Sequence, residues 1–212
     1  MIRLLGAGLF VCLGSVCSAQ DALPRVGDVE WKPLRERCRE LTVNLRKLDA
    51  LPADVEKLLT ALLDEEVKDA GAALEKLQDL LDPLCLLGIH INAESRVKAA
   101  RGPLAAELTL NRPCIVLVKV HNEGGITPPL NISGEELRLE GKPRIGRWLE
   151  ALVAPSPLPR TLNGRKLEYI ALRLTAREAG KREATLKFDA GQGTQDLGFR
   201  AEVPILFRIT AP

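Results

Sequence analysis

The chain changes period once along its length. From residue 31 to about residue 83, apolar positions recur at three- and four-residue steps. Leu34, Cys38, Leu41, Leu45 and Leu48 fall on one side of a predicted helix. Residues 49–52 break it, and Pro52 stands where a second helix can start. Val55, Leu58, Leu59, Leu62, Leu63 and Val67 mark that second face. Ala72, Leu74, Leu77, Leu80 and Leu81 continue the pattern beyond Gly71, as a third helix or an extension of the second, until Asp82-Pro83 stops it. Interleaved charges occupy the opposite faces, as on solvated helices. The expectation is a helical hairpin or a three-helix unit.

From residue 84 the texture becomes β. The stretch 84–92 is a short apolar run, and 115–121 alternates Val and Leu with Lys119, the pattern of a strand with one wet face. Further strands are predicted at 137–139, 169–175, 183–188 and 203–209, separated by Gly, Pro and Asn. The pair 169–175 and 183–188, joined through Glu178-Ala179-Gly180-Lys181, reads as a β-hairpin. Residues 155–159 read as a rigid Pro-rich surface loop. Short strands with turn signals between them suggest an antiparallel, immunoglobulin-like β-sandwich, without the Cys-Trp-Cys signature of antibody domains. The fold class expected is therefore α+β, with a helical unit at 20–84 and a β-sandwich at 85–212.

The first twenty residues obey neither period. Arg3 is followed by an uncharged apolar run, and Cys17 and Ala19 put small residues at the −3 and −1 positions of a signal-peptidase site. Residues 1–19 are read as a cleaved signal peptide, with cleavage between Ala19 and Gln20, so the protein is expected in the periplasm or outside the cell. The apolar run is too short to span ~30 Å of hydrocarbon as a helix, and no later segment is long and apolar enough to anchor the chain.

Charge sharpens the division near residue 85. Residues 20–84 carry 10 Lys and Arg against 15 Asp and Glu, whereas 85–212 carry 19 against 13. The two parts can attract each other. The basic residues are spread along strands rather than gathered in a patch, and aromatics make up only 3% of the chain, so a nucleic-acid partner is not expected. By length, the β part can bury a core of its own, while a helical piece of this size is marginal alone.

Catalytic chemistry is thinly represented. Removal of the leader leaves three cysteines, Cys38, Cys85 and Cys114, without CxxC or zinc-site spacing. They read as buried thiols; if two are bridged, Cys38 and Cys85 are the first choice. The only histidines are His90 and His121, each inside a predicted strand. With Glu123 they offer a zinc-ligand set, but structural histidines are the favoured reading, and carboxylates such as Glu94 and Glu123 lie on strand or turn positions. No catalytic or metal-binding residue and no cofactor is assigned. The GxG in Asp189-Ala190-Gly191-Gln192-Gly193-Thr194 lacks the third glycine and following helix of a dinucleotide fingerprint. Asp189 and Asp196 are a minor candidate pair for calcium, and Asn131-Ile132-Ser133 fits the glycosylation pattern.

Three segments, INAESRVKAARG (91–102), LVKVHNEGGIT (117–127) and AGKREATLKFDAGQGTQDLGFR (179–200), resemble the N-terminal region of large secreted planctomycete proteins similar to CehA/McbA-like metallohydrolases. In that family the metal-binding hydrolase domain follows downstream, so none of its ligands maps onto these residues. The resemblance implies an accessory module. The function expected is a non-catalytic docking or recognition module of the cell envelope, partnered by an envelope protein or an associated hydrolase domain. The alternative is an N-terminal piece of a secreted metal-dependent hydrolase.

Overall fold

The computed structural model describes residues 22–127, 130–134, 137–138, 148–153, 162, 164–190 and 200–212. Residues 1–21, which include the expected cleavage position at Ala19 and Gln20, the Pro-rich 155–159, and Asp196 lie outside the described residues.

Three helices come first: α1 (Trp31–Lys47), α2 (Ala53–Asp64) and α3 (Ala70–Leu81), the last followed by a 3-10 turn, Asp82–Leu84. Leu34, Cys38, Leu41 and Leu45 form the buried face of α1. Leu48 does not join them. It caps the helix and is 49% exposed, because the chain reverses at Asp49 through a positive φ of 51°. In α2 only Leu59 and Leu63 are buried, a narrower seam than the sequence suggested; Leu58 faces outward. A break after Asp64 makes α3 a separate helix, and the Asp69 side chain caps it by accepting a hydrogen bond from Ala72 N at 3.1 Å.

Ten strands follow: β1 (Cys85–Ile91), β2 (Val97–Arg101), β3 (Glu107–Thr109), β4 (Pro113–Asn122), β5 (Asn131–Ser133), β6 (Leu137–Arg138), β7 (Leu149–Val153), β8 (Leu167–Ala176), β9 (Gly180–Asp189) and β10 (Arg200–Thr210). They build two curled sheets, one in the order β2-β1-β4-β8-β7-β6 and one in the order β3-β10-β9-β5. Both are mixed rather than purely antiparallel: β1 pairs with β4, β3 with β10 and β6 with β7 in parallel. The β1–β4 pairing arises because the intervening β2 takes the other edge of β1 and β3 joins the second sheet. The chain therefore re-enters beside β1 in the same direction.

The expected hairpin between β8 and β9 does not form. β8 lies between β4 and β7, while β9 lies between β10 and β5, in the other sheet. Burial explains the separation. β8 is buried along nearly its whole length and belongs in the middle of a sheet covered on both faces; the last half of β9 alternates. Residues 177–179 carry the chain between the sheets, and Gly180 takes φ +102° as it enters β9.

Two apolar clusters result. One fills the space between the sheets, with Val116, Val118 and Val120 of β4, Leu172 and Leu174 of β8, and Phe188 and Phe207 from the second sheet. The other lies on the outer face of the larger sheet, where Leu34, Leu41, Leu59, Leu77 and Leu81 of the helices pack on Leu117, Tyr169 and Ala171. Three layers are stacked: helices, six-stranded sheet, four-stranded sheet.

Helices and sheet are also joined by buried charges. Lys119 was expected on a wet face but is 3% exposed, since the helical layer covers that face. Its ammonium donates to Pro24 O at 2.8 Å, Gln78 Oε1 at 2.9 Å and Asp82 Oδ2 at 2.8 Å. Tyr169 donates its hydroxyl to the other Asp82 oxygen at 2.8 Å. Burial first, and the Asp82 charge second, push the phenol well above its ordinary range, so it stays a donor. A second lock joins Arg37 of α1 and Arg165 to the two oxygens of Glu168 at 2.8 and 2.7 Å. Among the described residues no helix is long and apolar enough to cross a membrane.

Candidate metal centre

The parallel register of β1 and β4 sets His90 directly opposite His121. With a period of two, His121 shares its face with Lys119 and Leu117, and His90 shares its face with Gly88. This is the face the helices cover. Gly88 makes room there: a Cβ would lie 2.6 Å from Leu23 Cδ2, so the Leu23 side chain, which packs over the strand at this point, would have to shift. Cover then runs out along the row. Lys119 is 3% exposed, and the side chains of His121 and His90 are 21% and 43% exposed. The histidines stand at the margin of the helical layer.

Glu123 reaches them from the end of β4. Its backbone N–H donates to Ile91 O at 2.8 Å and so extends the ladder by one step. Asn122 is buried, and its side chain closes the turn by donating to Ile126 O at 2.9 Å and accepting from Ile126 N at 3.0 Å. The two glycines that follow make the turn feasible. A Cβ on Gly124 would lie 2.8 Å from Asn92 O, and Gly125 has φ +62°. The Asn-Glu-Gly-Gly sequence therefore fixes where the Glu123 carboxylate starts.

The two imidazoles stack with centroids 4.7 Å apart and planes 18° from parallel. His90 Nε2 lies 3.2 Å from one Glu123 oxygen, and His121 Nε2 lies 3.4 Å from the other. Neither contact has the alignment of a hydrogen bond, and both nitrogens are shielded from solvent without a hydrogen-bond partner. Burial, and next the neighbouring His90, lower the His121 pKa against the opposing pull of Glu123, which keeps this ring in the neutral form that ligates metals. Among the described residues this is the one group of three or more His, Cys, Asp or Glu side chains whose ligand atoms converge, all within 4.8 Å of one another.

Other residues singled out by sequence are dispersed. Glu94 sits in the β1–β2 turn, where Asn92 Oδ1 accepts its backbone N–H, and it pairs with Arg96 at 3.4 Å rather than with a histidine. Asp189, at the end of β9, pairs with Arg200 at 3.1 Å. Asn131 is exposed on β5. The sequence reading did not find the Lys119–Asp82–Tyr169 cluster. Its signal was present in Lys119, a single charge between valines in an otherwise apolar strand, beside an Asp-Pro that ends a helix.

Cys38 of α1 and Cys85 at the start of β1 lie in the same apolar cluster, and both, like Cys114, carry free thiols. Burial raises the pKa of each thiol; it is the leading cause at all three. Protonated, enclosed thiols react slowly. Titration of native residues 20–212 with an aromatic disulfide should therefore modify only Cys114, which is half-buried, within minutes. Cys38 and Cys85 should react after denaturation. Only one reactive thiol in denatured residues 20–212 would instead mean that the other two are bridged.

The chain matches no model of a known protein family, and no curated protein is similar to it.

Proposed function

We propose that this protein is an exported, non-catalytic docking module of the cell envelope, and that it docks through the outer groove of its helical layer. The observation that carries the reading is the groove between α2 and α3. It has a volume of about 350 Å³ and is lined by Leu58, Leu62 and Leu80 with Glu65, Lys76 and Asp79 at its rim. Leu58 is 54% exposed on a helix whose other side is packed. The buried charge locks hold α1 and the end of α3 against the sheet, and α2 packs against both helices, so the α3 wall of the groove is braced, and braced surfaces lose less entropy on binding. The buried ionisable groups at Lys119, Asp82, Tyr169 and Glu168 are all paired with one another or with helix residues, which suits a scaffold.

The occupant we assign is an apolar segment of an envelope protein with basic flanks. Apolar side chains fit the leucines, and positive flanks suit a helical part with 15 acidic against 10 basic residues. The paired sheets, which share one core, are read as an immunoglobulin-like sandwich broadened by its parallel strands. The alternative, a domain of a secreted metal-dependent hydrolase, draws support from one observation, the convergence of His90, His121 and Glu123.

A photo-reactive residue in place of Leu58, in cells that make the protein with its own leader, tests the docking reading. One discrete adduct with an envelope protein is expected, and the crosslinked chain should begin at Gln20. Adding Leu80→Asp should reduce the adduct about tenfold or more, as for a central interface contact. No adduct, or one indifferent to that substitution, would overturn the reading.

A further inference from the structure

We propose that His90, His121 and Glu123 form a binding site for one divalent transition-metal ion of the zinc class. The donor set is two imidazole nitrogens and one carboxylate, which suits zinc and its neighbours and does not suit calcium or magnesium, which take oxygen ligands. Spacing supports it. Zinc holds nitrogen and oxygen ligands at about 2.0–2.2 Å, so two ligand atoms on one tetrahedral ion are about 3.3–3.5 Å apart. The carboxylate oxygens already stand 3.2 and 3.4 Å from the two nitrogens.

A second observation separates this site from an ordinary His–Glu contact. Both nitrogens are shielded from water and lack a hydrogen-bond partner, although a carboxylate lies within reach of each. Buried polar atoms in folded proteins are nearly always satisfied, and exceptions ask for an explanation such as an ion. A cation between the nitrogens and the carboxylate oxygens satisfies all three groups together. The backbone is prepared for it as well. The β1–β4 ladder fixes the two histidines, and the turn closed by Asn122 and Ile126 fixes Glu123. Ligands on rigid elements lose little entropy when the ion arrives. Three protein ligands leave a coordination position for water.

Zinc titration of the untagged, purified protein, followed by calorimetry and by elemental analysis after gel filtration, tests the assignment. Because His90 and His121 are the chain's only histidines, no other imidazole can contribute. One ion per chain is expected, with a rise in Tm of about 5–10 °C at a hundredfold excess over Kd. Cobalt should give visible bands of a tetrahedral nitrogen–oxygen site without thiolate charge transfer. His90→Asn and His121→Asn should each weaken binding about 100-fold or more, and Glu123→Gln about tenfold or more, with circular dichroism unchanged. The assignment fails if the folded protein takes up no stoichiometric metal at about 100 μM, a weak limit for a three-ligand site. It also fails if uptake persists in the His90→Asn/His121→Asn double variant, which would place the ion on thiols or carboxylates elsewhere. Neither result bears on capture at the α2–α3 groove, which uses different residues.

Discussion

Replacement of Lys119 by methionine is expected to cost the protein about 3–5 kcal/mol, the range for removing one partner of a buried ion pair. Volume is nearly conserved, so the loss is electrostatic. Lys119 donates to three acceptors at once, the part-buried Pro24 O and the buried Gln78 Oε1 and Asp82 carboxylate. Without it Asp82 keeps the Tyr169 hydroxyl at 2.8 Å and an Arg25 contact at 3.9 Å, neither sufficient to replace a buried ammonium. Domains of this size are stable by only about 5–15 kcal/mol, so the variant should lose about a fifth or more of its stability. Urea denaturation measures it as a lower midpoint with an unchanged slope. Asp82→Asn added to Lys119→Met removes the uncompensated charge and should recover part of the loss. If Lys119→Met alone costs less than about 1 kcal/mol, the pair does not hold helices to sheet.

How much of this was visible in the sequence depends on how far each feature reaches along the chain. The helices are local, and the recurrence of Leu34, Leu41, Leu45, Leu59, Leu63, Leu74, Leu77 and Leu81 located their apolar faces, though it left open whether the third was a helix of its own or an extension of the second. The width of their buried faces was less legible: Leu48, at the end of α1, and Leu58, on the outer side of α2, continue the apolar pattern yet stay exposed. The alternation of β10 from Arg200 to Thr210 is also local, and it survives in the structure residue by residue. Pairing is not local. The short gap between β8 and β9 suggested a hairpin, yet nothing within the gap shows that β8 already has β4 and β7 as neighbours.

The candidate site shows the same limit. Glu123 stands two residues from His121, but the approach of His90 depends on a parallel register between strands separated by two others. Sequence alone supplied the three ligand types without the geometry that unites them. Lys119 was misplaced for a related reason. Alternation in β4 correctly separates two faces, but whether the second face meets water or a helix is decided by residues nearly forty positions earlier, at Asp82 and Gln78.

Separation at the change of secondary structure should produce the second large effect. By length, residues 85–212 can fold alone, and the core between the sheets lies almost wholly within them. The outer face of the larger sheet argues otherwise. Without the helices, Leu117, Leu167 and Tyr169 would pass from buried to solvent, at about 1.5–3 kcal/mol for each large side chain. Lys119 would lose Asp82 and Gln78, and Glu168 would lose Arg37. Such a sum is comparable to the whole stability of a domain of this size, and the bared apolar strip at the centre of a sheet invites association. We therefore expect residues 85–212 alone to be aggregated or without a cooperative thermal transition, as read by gel filtration and circular dichroism. Coexpression with residues 20–84 as a separate chain should restore a soluble one-to-one complex, since the helix-to-sheet packing and hydrogen bonds are noncovalent. A monomeric 85–212 that melts cooperatively near the temperature of the intact protein would show that the helices are an addition to the β fold rather than its third layer.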